Sequence, residues 1–241
     1  SNFIVFFGDA NMALVKYGGG VVQMSGSIAG SVFARNKSGN YVRPRTKPVN
    51  PKSERQVDAR EIIKQLAAHW HTTLNDTHRG GWENYADAVP MKNKLGETIH
   101  LSGFNHFIRS NSARLGVGLA IVEAGPTTPA LPPIDESFGV TTSAYYQALV
   151  IAFKGTDGWD DEVGAAMIIT AGRPQLATRN TFHGPWRTAE AIEGEEGATP
   201  ASNYSVAAPF TLTAGQIIWC SHRIARADGR LSNPSRFGPV T

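Results

Sequence analysis

The 241-residue chain has a single cysteine, Cys220, and no apolar run long enough to cross a bilayer. A lone cysteine closes no internal disulfide, and no Cys/His set has the paired spacing of a structural zinc site. The fold must therefore rest on an apolar core, and a 41% hydrophobic fraction is enough to build one. "SNFIVFFGDANM" also lacks the basic start and longer apolar stretch of a signal peptide. Local signatures of catalysis are missing as well. No G-x-S-x-G elbow occurs, Cys220 sits in an apolar strand-like run where it packs, and "YGGGVV" has glycines but no G-K-[ST]. These absences predict no enzyme, no catalytic residues, no cofactor, no metal and no membrane partner.

The histidines and acidic runs do not alter that expectation. His69 and His71 lie two apart, so on a helix they face about 200° away from each other and share no cation; both are expected at the surface. His183 and His222 are expected to be ordinary loop or strand residues. "TDGWDDE" (156–162) lacks the alternating ligands and terminal glutamate of a calcium loop, and together with "EGEEG" (193–197) reads as solvated connection.

What is present is turn chemistry and periodicity. Twenty-five glycines and fourteen prolines favour short strands and tight turns. Strand-like pieces at 21–24, 31–35 and 41–45, separated by "GSIAG" and "NKSGN", predict a small antiparallel ribbon. Phe3–Phe7 is a further apolar run, and residues 1–11 read either as an extension before Met12 or as a strand lent to a neighbour. "RPRTKPVNP" is expected to be extended, with Asn50 or Ser53 capping the next helix. Val57, Ala59, Ile62, Ile63, Leu66, Ala67, Trp70 and Leu74 predict its inward face. A second helix is expected from near Gly81 to Pro90, and a third after Ser102, stopping at Gly116. "QALVIAFK", "AAMIITAG" and "IIWCSHRIARA" predict strands of an antiparallel sandwich.

The fold class is thus α+β: an N-terminal β-ribbon and extended arm, a central three-helix region and a C-terminal antiparallel β-sandwich. Residues 1–122 form the docking domain, 123–135 a Pro-rich linker and 136–241 the sandwich. Charge divides along the same line. Residues 31–64 carry nine Lys/Arg against three acids, whereas 125–241 carry eight against eleven. Arg35, Lys37, Tyr41, Arg43, Arg45 and Lys47 are the candidate partner-binding residues, because planar guanidinium groups on an extended arm pair readily with carboxylates. A nucleic-acid contact through the same cations is the alternative, with Tyr41 or Phe33 stacking on bases. A third reading is an adhesin or carbohydrate-binding sandwich using exposed Trp159 and Trp186.

A longer pattern runs through the first half: a Gly-rich hairpin, Tyr41/Arg43/Arg45, Asn50/Pro51/Ser53/Gln56, Trp70, Trp82/Tyr85/Ala86 and Leu101/Ser102/Gly103/Phe107/Asn111. It resembles a family of uncharacterised structural proteins of tailed bacteriophages and prophages. The closing "RADGRLSNPSRFGPV" is similar to the last turn and strand of fibronectin type III domains. The first resemblance implies a virion component, head or tail, assembled in the host cytoplasm and partnered by other copies of itself and a capsid or tail protein.

Overall fold

The computed structural model describes residues 13–36, 39–46, 49–93, 95–155, 157–198 and 200–241. The donated strand weighed for residues 1–11 lies outside them. The architecture is mixed α+β, with an antiparallel sheet first, three helices in the middle and antiparallel sheets at the C-terminal end.

The first sheet contains β1 (Ala13–Leu14), β2 (Gly26–Ile28), β3 (Ser31–Asn36) and β4 (Gly39–Pro44), in the order β1-β4-β3-β2. The strand expected at 21–24 is not formed; the paired residues are Gly26–Ile28, inside the stretch expected to turn. Register explains the shift. Ile28 faces Ser31, so the hairpin closes over Ala29 and Gly30 alone, with Ala29 at φ +49, and the strand must be what immediately precedes them.

Helix α1 (Glu54–Thr72) has Ser53 at its N-cap, where the carbonyl accepts the N–H groups of Gln56 and Val57 but the hydroxyl makes no capping bond. Only Leu66 and Trp70 of α1 are buried. Val57 and Ile63, expected inward, are about half exposed, because the bundle covers only the second half of the helix. Helix α2 (Asp76–Ala88) begins before Gly81, since Asn75 Oδ1 accepts the His78 N–H at 2.8 Å. Gly81 serves a different purpose: the main chain of Gly125 crosses there, and a Cβ on Gly125 would lie 2.2 Å from the Gly81 carbonyl carbon. A hairpin of β5 (Met91–Lys92) and β6 (Thr98–Ile99) leads to α3 (Gly103–Leu115). Ser102 caps α3 through the Asn105 N–H, and Gly116 ends it. Leu66, Trp70, Leu74, Trp82, Tyr85, Val89 and Phe107 form the helical core. Phe107 is at its centre, with the Trp70 and Trp82 rings 5.3 and 5.7 Å away.

The remaining strands are β7 (Gly139–Ser143), β8 (Ala148–Ala152), β9 (Ala166–Gly172), β10 (Gln175–Leu176), β11 (Trp186–Glu193), β12 (Tyr204–Ala207), β13 (Gln216–Ala225) and β14 (Ser235–Val240). One sheet has the order β12-β8-β7. In the other, β13 lies between β9 and β14, and β9 has β11 on its far side. Ala171 faces Cys220 and Gln175 faces Ile217, so β10 prolongs β9 along β13. Val140, Leu149, Ile151 and Val206 of the first sheet meet Met167, Ile169, Ile218, Cys220 and Ile224 of the second in one core, which makes the pair a sandwich.

The larger sheet is also covered on its outer face. At one end Ile168, Ala225 and Leu231 pack with Ala113 of α3. At the other, Phe182 stacks on Trp219 at 5.4 Å and lies over Gly172, where a Cβ would come within 2.3 Å of the ring. Burial on both faces is why "AMIITAG" and "IIWCSHRIA" are nearly continuous apolar runs without alternation.

Candidate functional site

The motif residues of the first half divide by what they touch. Trp70, Trp82, Tyr85, Ala86 and Phe107 are buried in the helical core. Trp82 Nε1 donates to the Glu123 carbonyl at 2.9 Å, and Asn111 bridges to both the N–H and the carbonyl of Val122. Gly103 lies so close to the α2 backbone that a Cβ would come within 2.6 Å of Glu83 N. This part of the pattern is a packing signature. Tyr41, Arg43, Arg45, Asn50 and Pro51 enter none of the buried clusters formed by the described residues.

The first sheet spreads its cations over both faces. Arg35 pairs with Asn40 and shares a face with Phe33 and Val42, whereas Arg43 pairs with Val32 on the opposite face, with Tyr41. Arg45 follows β4, its N–H donating to the Gly30 carbonyl. Arg35, Arg43 and Arg45 are exposed and have no ion pair among the described residues; Tyr41 is half-buried. Lys37 and Lys47 lie outside the described residues.

Among its described residues this sheet reaches only partial burial, at Leu14 and over 31–34 and 39–42. No buried hydrophobic residue precedes Leu66 among the described residues, and β2 is exposed throughout. Val21, Val22, Ile28, Val49, Val57 and Ile63 are exposed, Val22 to 92% and Val49 to 85%. Beside β1 and β4 a cleft of about 330 Å³ opens toward Leu95 and Glu97, and the Lys16 ammonium pairs with the Glu97 carboxylate across it. That hydrogen bond and a second from Asn93 hold Glu97 below the usual carboxylate range.

Helices and sandwich are joined by two arginines that no sequence motif marks. Arg109 of α3 donates to the carbonyls of Leu231 and Ser232 at 2.7 and 2.8 Å. Arg114, 4% exposed, donates through Nε to Ala120 O at 2.8 Å and through Nη1 to Gly164 O and Arg226 O, each at 2.9 Å. The loop between β13 and β14 is thereby clamped, and Gly229 in it, at φ +90, lies so near Trp82 that a Cβ would meet the indole at 3.1 Å.

Other expectations change with burial. Trp159 and Asp160 are each 1% exposed, so "TDGWDDE" is not a purely solvated connection, and Trp159 cannot serve an exposed binding surface. Trp186 is half-buried against Phe182, with Arg236 over its ring. His69 is half-buried, hydrogen-bonded to Glu123 Oε1 at 3.0 Å and stacked near Phe107. His222 is a core residue stacked on Phe138 at 4.1 Å; burial pushes it down to about 4 against a small opposing pull from Asp135. His106, wholly buried beside Tyr85, is likewise pushed down to about 4 by burial and by Arg109. Cys220 is buried, which pushes its thiol up to about 12.

Among the described residues no three His, Cys, Asp or Glu side chains converge on a metal position, and no helix is long and apolar enough to cross a membrane. Comparison with protein-family models, with curated proteins and with solved structures finds no match for the chain.

Proposed function

We propose that this chain is a non-enzymatic structural component of a bacteriophage virion, held in place through its first sheet and the exposed half of α1. The observation that carries the reading is that no described hydrophobic residue of that sheet is fully buried. Isolated strands need an apolar face packed against something to be stable in water, and here Val21, Val22, Ile28, Val49, Val57 and Ile63 are exposed beside arginines that form no ion pair among the described residues. A mixture of exposed aliphatic groups and arginine is the composition of a protein interface core and its rim. The partners are other copies of the chain and a capsid or tail protein, met during assembly in the host cytoplasm. The phage-family pattern supports this context, since three of its residues outside the buried clusters, Tyr41, Arg43 and Arg45, fall in this sheet or just after it. Seven principal strands in two packed sheets, three against four, support the fibronectin type III-like reading of the C-terminal half.

The test is incorporation. Assembled particles are purified from cells producing the wild-type chain or the Arg43→Glu/Arg45→Glu variant, and the chain is quantified in each. The variant should be lost from particles while its urea-unfolding midpoint stays unchanged, because both side chains are exposed. Equal incorporation refutes the reading. Binding to duplex or single-stranded DNA that weakens steeply with salt would favour the nucleic-acid alternative instead.

A further inference from the structure

The first sheet has two free edges. Among the described residues its order is β1-β4-β3-β2, so β1 and β2 each pair on one side only. β2 is exposed at all three residues, Ile28 to 59%, and its Gly-Ser-Ile sequence has neither the charge nor the proline that commonly blunts an edge. Along β1 the ladder fixes which groups are unused. The Val15 N–H donates to the Asn40 carbonyl and Leu14 faces Tyr41 one step away, so the main-chain groups of Leu14 point away from β4.

The cleft of about 330 Å³ is lined by the consecutive residues Leu14, Val15, Lys16 and Tyr17, together with Asn40 and Val22. Tyr17 Oη and Asn40 Oδ1 are buried in it without a hydrogen-bond partner among the described residues, the first a hydroxyl able to donate and the second an acceptor. Lys16 and Glu97, the charged residues of the lining, neutralise each other. An occupant must therefore be uncharged and bring both an acceptor and a donor, as a main chain does.

We propose that β1 and this cleft receive β2 of a second copy of the chain, so that the sheet continues from copy to copy; the inference rests on the reading of the first sheet as an interface. Strand directions fit. β2, β3, β4 and β1 are antiparallel in turn, so the two edges run in opposite directions, and a neighbour in the same orientation sets its β2 antiparallel to β1. The faces fit as well. Ile28 lies opposite Ser31, and Val15 opposite Asn40, which in turn lies opposite Arg35; residues 31 and 35 of β3 share a face, so Ile28 arrives on the side of Val15 and Asn40. Gly26–Ile28 is uncharged, as the cleft requires. Main-chain pairing supplies the affinity of such a junction and the side-chain pocket its selectivity. Because the two joined edges differ, the contact is heterologous and generates a ring or a filament.

Cys220 is buried, so introduced cysteines can be linked selectively. The full-length Leu14→Cys/Ser27→Cys variant is treated with a short bis-maleimide and run on a denaturing gel. Within one sheet the two edges are three strand spacings apart, about 14 Å, which the reagent does not span. The double variant should give a ladder of covalent dimers, trimers and higher species, and an equimolar mixture of the two single variants should stop at dimers. Adding Ile28→Asp should abolish the ladder without moving the urea midpoint, because Ile28 is exposed. A single variant that links to itself, a double variant that stays monomeric, or a ladder unchanged by Ile28→Asp each overturns the proposal. No ladder together with normal incorporation into particles would remove the copy-to-copy contact alone, whereas a ladder without incorporation would remove the virion reading alone.

Discussion

Replacing Arg114 with methionine should destabilise the whole chain, and the size of the loss follows from what its guanidinium holds. Three main-chain carbonyls, of Ala120, Gly164 and Arg226, accept from it at 2.8–2.9 Å in a site where the side chain is 4% exposed. Methionine keeps much of the volume but orphans all three acceptors, each at about 1–3 kcal/mol when left without water. Part of that is offset, because the guanidinium itself is desolvated, which lowers its pKa, and Glu162, the larger of the two carboxylate attractions on it, is already engaged by Arg226. The net loss should be about 3–4 kcal/mol, or roughly 6–16 °C in Tm for a chain of this length. Urea unfolding followed by tryptophan fluorescence and by far-UV circular dichroism measures it. Trp82 and Trp70 report the helices, and Trp159 and Trp219 the sandwich. Wild type should give one coincident transition, and Arg114→Met either a single lower one or two separated ones. A loss below about 1 kcal/mol would mean that water replaces the guanidinium at no cost, and the clamp would have no energetic role.

Three further outcomes are expected. His106 and His222 are neutral when folded and have pKa values lowered to about 4, so between pH 6.5 and 4 the unfolded chain binds protons that the folded chain does not. Stability should be complete above pH 6.5 and fall toward pH 4 by up to about 3 kcal/mol per histidine, with His222→Phe removing about half the slope; a flat urea midpoint across that range refutes it. Gly125→Ala should cost several kcal/mol, on the order of a buried strain or packing defect, because its Cβ would overlap the α2 backbone; a midpoint equal to wild type would show that the crossing yields easily. Cys220 should resist a thiol reagent in the native chain and react in urea, since burial both shields it and suppresses the thiolate; rapid native labelling contradicts this.

How far the sequence carried depends on which force fixes each element. Ser102 and Gly116 bound α3 because capping is local chemistry, and β8, β9 and β13 are apolar runs that few other structures accommodate. Gly80 and Gly81 misled the placement of α2, because glycine marks both a helix limit and a close crossing of chains, and only the distant Gly125 separates the two. Val57 and Ile63 fit the inward stripe of α1, yet periodicity states which face is apolar without stating how far a neighbour extends along it. The arginines of the first sheet read as one basic surface in a list of residues, but strand alternation sends Arg35 and Arg43 to opposite sides. Arg109 and Arg114 were invisible as functional pieces because their partners are carbonyls, which no side-chain pattern records.

The arginine clamp between α3 and the loops that precede β9 and follow β13 also has a mechanical meaning. A pull on the outer loops travels along those two strands, through the carbonyls held by Arg109 and Arg114, into the helices. Load carried by those strands would therefore reach the helical core through four carbonyl contacts and not through a loose linker alone.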